Sequence, residues 1–169
     1  VSVSSAEMEA NGASFAPRIS ANERYVVFGS AASNLVAGDT NGEIDIFRRD
    51  LVSGRTIRVS VSSGEAQANG GSDAPDVSDD GRRIVFLSNA TNLARGDRNG
   101  ATADVFLRDL RTGTTRRLNI GYSGRASVAE ASQPRISGDG TVAVFASDGA
   151  DLLHFDRNGT TDIFAVKLS

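Results

Sequence analysis

Among its 169 residues the chain has no cysteine and no tryptophan, and only three prolines, two tyrosines, one methionine and one histidine. The missing cysteine excludes disulfides, zinc–thiolate sites and thiol nucleophiles. The shortage of tryptophan and tyrosine removes the aromatic platforms on which sugar-processing sites rely. No apolar run approaches 18 residues, so no segment reads as a membrane-crossing helix. Neither sign of charge dominates: 18 basic residues face 21 acidic ones, net −3, without a long run of either. The basic stripe that nucleic acid or an anionic membrane demands is therefore lacking. The chain opens at Val1 with no methionine or leader ahead of it, and a processed or trimmed form is expected on that ground.

What the chain has is an internal repeat of about 58 residues. Val1-Ser2-Val3-Ser4-Ser5 returns unchanged at 59–63, and Leu118-Asn119-Ile120 holds the same place in a third copy. Pro17-Arg18-Ile19-Ser20 returns as Pro75-Asp76-Val77-Ser78 and as Pro134-Arg135-Ile136-Ser137. The copies run from about 1 to 58, 59 to 117 and 118 to 169. A period of this length indicates stacked supersecondary units that bury a continuous core between them. Six of the eight phenylalanines fall at equivalent positions, Phe28, Phe86 and Phe145, then Phe47, Phe106 and Phe164. Each copy thus places its large side chains at one packing layer.

Within a copy, short alternating apolar runs separated by turn residues predict strands. In copy one these are Arg18–Ser20, Tyr25–Phe28, Asp45–Leu51 and Thr56–Val61, with a long polar loop from Ser30 to about Ile44. No segment sustains a helical apolar period over three turns. Four hairpin-linked strands per copy describe a propeller blade. The pattern Pro-x-Ile-Ser, Asp-Gly, Val-x-Phe and Asp-Ile-Phe-x-x-Asp-Leu-x-x-Gly resembles the TolB-like (PD40, WD40-like) β-propeller repeat along essentially the whole chain. The resemblance implies an all-β propeller of four-stranded antiparallel blades, a family whose members include binding platforms, peptidase gating domains and parts of secreted proteins. An extracellular or periplasmic setting is expected with it.

Three blades do not close a ring. The third copy stops after its third strand, while Val1–Ser4 reads as a surplus outer strand. Residues 1–169 are therefore expected to form one half-ring domain. Two such chains would close six blades as a homodimer by exchanging the N-terminal strand. A fragment of a longer propeller is the alternative.

The long loop ends in Asp-x-Asn-Gly followed by Asp-(Ile/Val)-Phe. Its oxygens belong to Asp39, Asn41 and Asp45, to Asp97, Asn99 and Asp104, and to Asp156, Asn158 and Asp162. Alternate hard oxygens around a glycine bend meet part of what calcium requires. The loop is similar to the calcium loops of integrin-type propellers, which carry a further acidic residue between the Asn and the Gly. Glu43 could substitute in copy one, whereas Ala101 and Thr160 could not. Calcium is the expected cofactor, and an Asx turn of the same sequence is the alternative.

A catalytic group should break the repeat. His154 does so, with no serine or aspartate assignable to it. Glu7, Glu65 and Glu130 in the inter-blade loops are the carboxylates that a channel-sited, glycosidase-like hydrolase would use. Met8, Phe15, Tyr122 and Arg125 read as surface variation. On the innermost strand Arg18, Asp76 and Arg135 share one position and are channel-lining ligand candidates, with Ser20, Ser78 and Ser137 two residues on. The expected function is a non-enzymatic scaffold that binds a protein or small ligand. A purely structural half-propeller assembly module is the other alternative to the hydrolase.

Overall fold

The computed structural model describes residues 1–168 and is all-β among them. Blade 1 is β1 (Ser14–Ile19), β2 (Tyr25–Ser30), β3 (Asp45–Asp50) and β4 (Arg55–Arg58), hydrogen-bonded in that order. Blade 2 repeats it as β5 (Ser72–Val77), β6 (Arg83–Ser88), β7 (Asp104–Asp109) and β8 (Thr114–Arg117). Blade 3 holds β9 (Ala131–Ile136), β10 (Val142–Ser147) and β11 (Asp162–Lys167). Every neighbouring pair within a blade is antiparallel.

The innermost strands begin four residues earlier than the apolar pattern marks, because each contains a bulge at its proline. Register shifts lie between Phe15 and Arg18 and between Asp73 and Asp76, and opposite Gln133 in the β9–β10 ladder. A proline has no N–H to give a ladder, so a strand admits it where pairing is interrupted. The residue ahead of each proline, Ala16, Ala74 or Gln133, has φ near 50° (49°, 49° and 51°).

The phenylalanine layer is as the repeat predicts. Phe28 pairs across the strands with Phe47, Phe86 with Phe106 and Phe145 with Phe164, ring centroids 5.9, 5.9 and 5.6 Å apart. The core itself is built between blades. Val27 and Ile46 of blade 1 pack with Val77, Ile84 and Phe86 of blade 2. Val85 and Val105 of blade 2 pack with Ala143, Phe145 and Phe164 of blade 3. Each blade thus seals the trailing face of the one before it. Blade 3 has no such cover among the described residues: Ile163 is 72 % exposed, where Ile46 and Val105 at the same repeat position are 0 % exposed.

At the first interface Tyr25 lies so close to Gly81 that a Cβ there would stand 2.0 Å from the tyrosine Cδ2. Arg48 stacks on the same ring at 4.4 Å and donates to the Gly81 carbonyl at 2.8 Å.

The outer strands are shorter than expected. β4 ends at Arg58, and Val59–Ser63 is a crossover to blade 2: Val59 N donates to Ile46 O, while Thr115 Oγ1 donates to Val61 O. This corrects the reading of Val1–Ser4, which corresponds to the crossover and not to an outer strand. Thr56 Oγ1 donates to Val3 O at 2.7 Å, Arg49 to Ser4 O at 3.1 Å, and Thr56 N to Ser5 Oγ at 3.0 Å. In the single chain the segment is held on its own blade.

Candidate functional site

The Asp-x-Asn-Gly loops fold as the tips of long connections between the second and third strands of each blade, and their aspartates do converge. In copy one they converge on an arginine. Arg58 Nη2 lies 3.4 Å from Asp39 Oδ2, and its Nε lies 3.4 Å from Asp45 Oδ2. In copy two Arg117 stands 3.3 Å from Asp97 and 3.2 Å from Asp104. The guanidinium comes from β4 or β8 and occupies the place that the calcium reading gives to the ion.

In all three copies the asparagine amide nitrogen faces the loop aspartate. Asn41 Nδ2 donates to Asp45 and to Ala68 O, while its Oδ1 accepts the Glu43 amide. Asn99 Nδ2 donates to Asp104, and the Asn99 and Gly100 amides donate to Asp97. This is Asx-turn chemistry. Ser60 Oγ and Asn119 Nδ2 complete the sites with donations to Asp45 at 2.5 Å and to Asp104 at 2.6 Å. Burial pushes the Asp45 and Asp104 carboxyls up from the ordinary aspartate value, against the pull of these donors and of the arginine.

Copy three keeps the loop, and among the described residues no arginine ion-pairs with Asp156 or Asp162, although Arg157 belongs to the loop and lines the same cavity. Asn158 Nδ2 donates to Asp162 at 3.0 Å, Asn158 N to Asp156, and Thr160 N to Asn158 Oδ1. Beside it lies a feature absent from the other copies. The His154 ring sits 5.0 Å from Tyr122 and 4.4 Å from Phe155, with Tyr122 62 % and Phe155 75 % exposed. An open cavity of about 670 Å³ joins His154 and Phe155 to Asp156, Asn158 and Asp162. Tyr122 is thus part of a patch, which the sequence reading missed. Its signal was its approach to His154, invisible across 32 residues of chain (122 to 154).

The channel residues lie on adjacent inner strands. Arg18 Nε is 3.9 Å from Asp76 Oδ1, and Asp76 Oδ2 accepts the Ile136 amide of the next blade at 2.9 Å. Arg135 turns back to the Pro134 carbonyl. Asp76 ties three inner strands together, and the arrangement reads as an ion-pair belt. Ser20, Ser78 and Ser137 do not serve the channel. Their hydroxyls donate to Asn22, Asp80 and Asp139 and accept the Tyr25, Arg83 and Val142 amides, locking the first hairpin of each blade.

The glutamates do not form a catalytic pair. Glu7 and Glu65 each accept from an arginine of their own blade, Arg49 and Arg108. Each of these arginines also donates to the adjoining crossover, at Ser4 O or Ser62 O. Glu130 is at a different repeat position, and its carbonyl accepts from Ser147. Among the described residues His154 has no hydrogen bond to a serine or carboxylate, and no group of three His, Cys, Asp or Glu side chains gathers to hold a metal.

No family model matches the chain, and no curated protein matches it. Solved structures do. TolB from Acinetobacter baumannii superposes with a TM-score of 0.52 at 19 % identity, covering 95 % of this chain and 31 % of that one. A putative TolB from Agrobacterium tumefaciens gives 0.54 at 20 % identity, over 89 % of this chain and 44 % of that one. The tricorn protease gives 0.55 at 15 % identity, over 92 % of this chain and 14 % of that one. The chain has a TolB-like β-propeller fold and spans less than half the length of each of these proteins.

Proposed function

We propose that the chain is a non-enzymatic propeller scaffold that binds a protein or small ligand at the loops of its third copy. The observation that carries this reading is the exposed Tyr122–His154–Phe155 patch, where clustered aromatics break the repeat among the described residues. Exposed aromatics rimmed by polar groups are a usual mark of an interaction site. The hydrolase reading has no comparable support, because Glu7 and Glu65 are engaged with Arg49 and Arg108. Calcium, as a proposal, is confined to Asp156, Asn158 and Asp162, the loop whose aspartates no arginine pairs with among the described residues, Arg157 of the same loop lying beside them. The chain has no thiol to protect, so the extracellular or periplasmic setting is compatible with it and is proposed with this function.

Pairing of two copies is part of the proposal, by face-to-face packing in place of strand exchange. Ile163 on the trailing face of blade 3 and Ile19 on the leading face of blade 1 are 72 % and 56 % exposed. Their equivalents Ile46 and Val77 meet in the blade 1–blade 2 core. A second copy offers each face the partner that the repeat provides internally.

The binding reading is tested by affinity capture from the envelope or culture fluid of the producing cell. The wild-type chain retains a defined partner, and the Tyr122→Ser, Phe155→Ser double variant loses it. Equal retention by both proteins contradicts the reading.

A further inference from the structure

We infer that Asn99 is a spontaneous deamidation site, converted through a cyclic imide with Gly100 into aspartate and isoaspartate while the protein stays folded. The site lies in an interior loop of blade 2 and is independent of the ligand reading above.

Asparagine followed by glycine occurs five times, at Asn11, Asn41, Asn69, Asn99 and Asn158. The dipeptide is chemically labile because no Cβ shields the glycine nitrogen from the neighbouring side-chain amide. The fold separates the five. At Asn11 and Asn69 both ends of the carboxamide are engaged, Nδ2 donating to the Ser33 or Thr91 hydroxyl and Oδ1 accepting the main-chain amide of the same residue. The glycines that follow are hemmed in as well. A Cβ on Gly12 would stand 2.7 Å from the Ala31 backbone, and one on Gly70 would stand 3.0 Å from that of Asn89. At Asn41 and Asn158 Oδ1 accepts the amide two residues on, from Glu43 or Thr160, while Nδ2 donates to Asp45 or Asp162. Turning either carboxamide toward its glycine breaks these bonds.

Asn99 lacks the carbonyl restraint. Copy two carries one more residue between its Gly and its third-strand aspartate, Ala101-Thr102-Ala103 in place of Glu43-Ile44. Asn99 Oδ1 is buried and has no hydrogen-bond partner among the described residues, which raises the energy of the resting conformer. The Nδ2 donation to Asp104, at 3.2 Å, is what holds the carboxamide. Gly100 is exposed, with nothing within 4 Å of a Cβ, and its N–H donates to Asp97 Oδ1 at 2.9 Å.

The reaction needs water and no other reactant. Gly100 N bonds to Asn99 Cγ as its proton passes to Asp97. The Cγ–Nδ2 bond then breaks, and Nδ2 leaves as ammonia with that proton. Water opens the imide at either carbonyl, leaving aspartate or isoaspartate and a new negative charge beside Asp97 and Asp104.

The test holds the folded 169-residue chain in mildly alkaline buffer and maps its peptides by mass spectrometry at intervals, each deamidated peptide gaining one dalton. Asn99 is expected to convert at least fivefold faster than any other Asn-Gly pair, and the five rates should converge in urea. Deleting Ala101 restores the copy-one spacing and should slow Asn99 at least fivefold, with an unchanged far-UV spectrum showing that the variant is folded. No conversion at Asn99, another pair converting first, equal rates in the folded chain, or an unchanged rate in the folded deletion variant overturns the inference.

Discussion

Arg117 presents its Nε to Asp104 Oδ2 at 3.2 Å, with side chains 2 % and 1 % exposed. A buried pair of this kind is weak evidence of net stabilisation, yet removing one member strands the other charge. Asp104→Ala is therefore expected to lose about 3–5 kcal/mol of unfolding free energy, measured by urea denaturation. Asp162→Ala in blade 3, where no arginine is stranded, is expected to stay within about 1 kcal/mol. Equal losses at the two sites would show that the arginine contributes little.

The same geometry gives an ion test. If the Arg58 guanidinium fills the cation position in copy one, Arg58→Gln empties it and leaves Asp39 and Asp45 facing each other. The variant is expected to gain stability with 5 mM calcium, by about 1.4 kcal/mol at ten times the dissociation constant. Its gain should exceed that of the wild type, measured as the difference in thermal midpoint. A wild-type gain as large as the variant's contradicts the assignment of that position to Arg58.

Gly81 has two separate demands on it. Its φ is +70°, and a Cβ would meet the Tyr25 ring at 2.0 Å. Gly100 has φ +64° with nothing within 4 Å of a Cβ. Gly100→Ala should cost about 1–2 kcal/mol, the left-handed conformation alone. Gly81→Ala should cost more than that, and part of the excess should return in the Tyr25→Ala background. Identical costs for the two glycines would remove the blade-interface contact from the explanation.

The repeat made the blades legible because identical residues recur where packing demands them. The repeat alone places Phe28 and Phe47 in one layer, and their copies with them. The outer strand was overextended because Thr56–Val61 alternates without interruption, while the chain leaves β4 after Arg58 to cross to the next blade. That error made Val1–Ser4 look like a strand. The acidic loops are legible, but the arginines that pair with two of them are not, since Arg58 and Arg117 lie 13 residues beyond Asp45 and Asp104 (45 to 58, 104 to 117). Their recurrence at one repeat position was the signal available. Nothing local in the sequence could bring Tyr122 to His154.

Acid sensitivity separates two classes of aspartate. Hydrogen bonds from Arg24, then the Val52 and Ser53 amides, hold Asp50 well below the usual carboxylate range against the opposing effect of burial. At Asp109 burial pushes up most strongly, but the Arg111 and Thr112 amides and Arg83 together outweigh it. A depressed carboxyl contributes stability that is present above the ordinary aspartate value, about 3.9, and is lost as pH falls toward the folded-state value. Asp45 and Asp104, pushed up, act in the opposite sense: their contribution is present below that value and lost as pH rises through the folded-state one. Urea unfolding from pH 7 to pH 2 should therefore show a steeper acid limb for the wild type than for Asp50→Asn. Parallel curves would mean that Asp50 is not what the acid limb reports.

Sedimentation equilibrium of the 17.6 kDa chain tests most directly whether these three blades are half of a ring. The proposed pairing of the faces at Ile19 and Ile163 predicts a mass of two chains, reduced to one chain by Ile163→Asp with the fold retained by circular dichroism. A single-chain mass for the wild type at tens of micromolar would contradict the closure of the ring by a second copy.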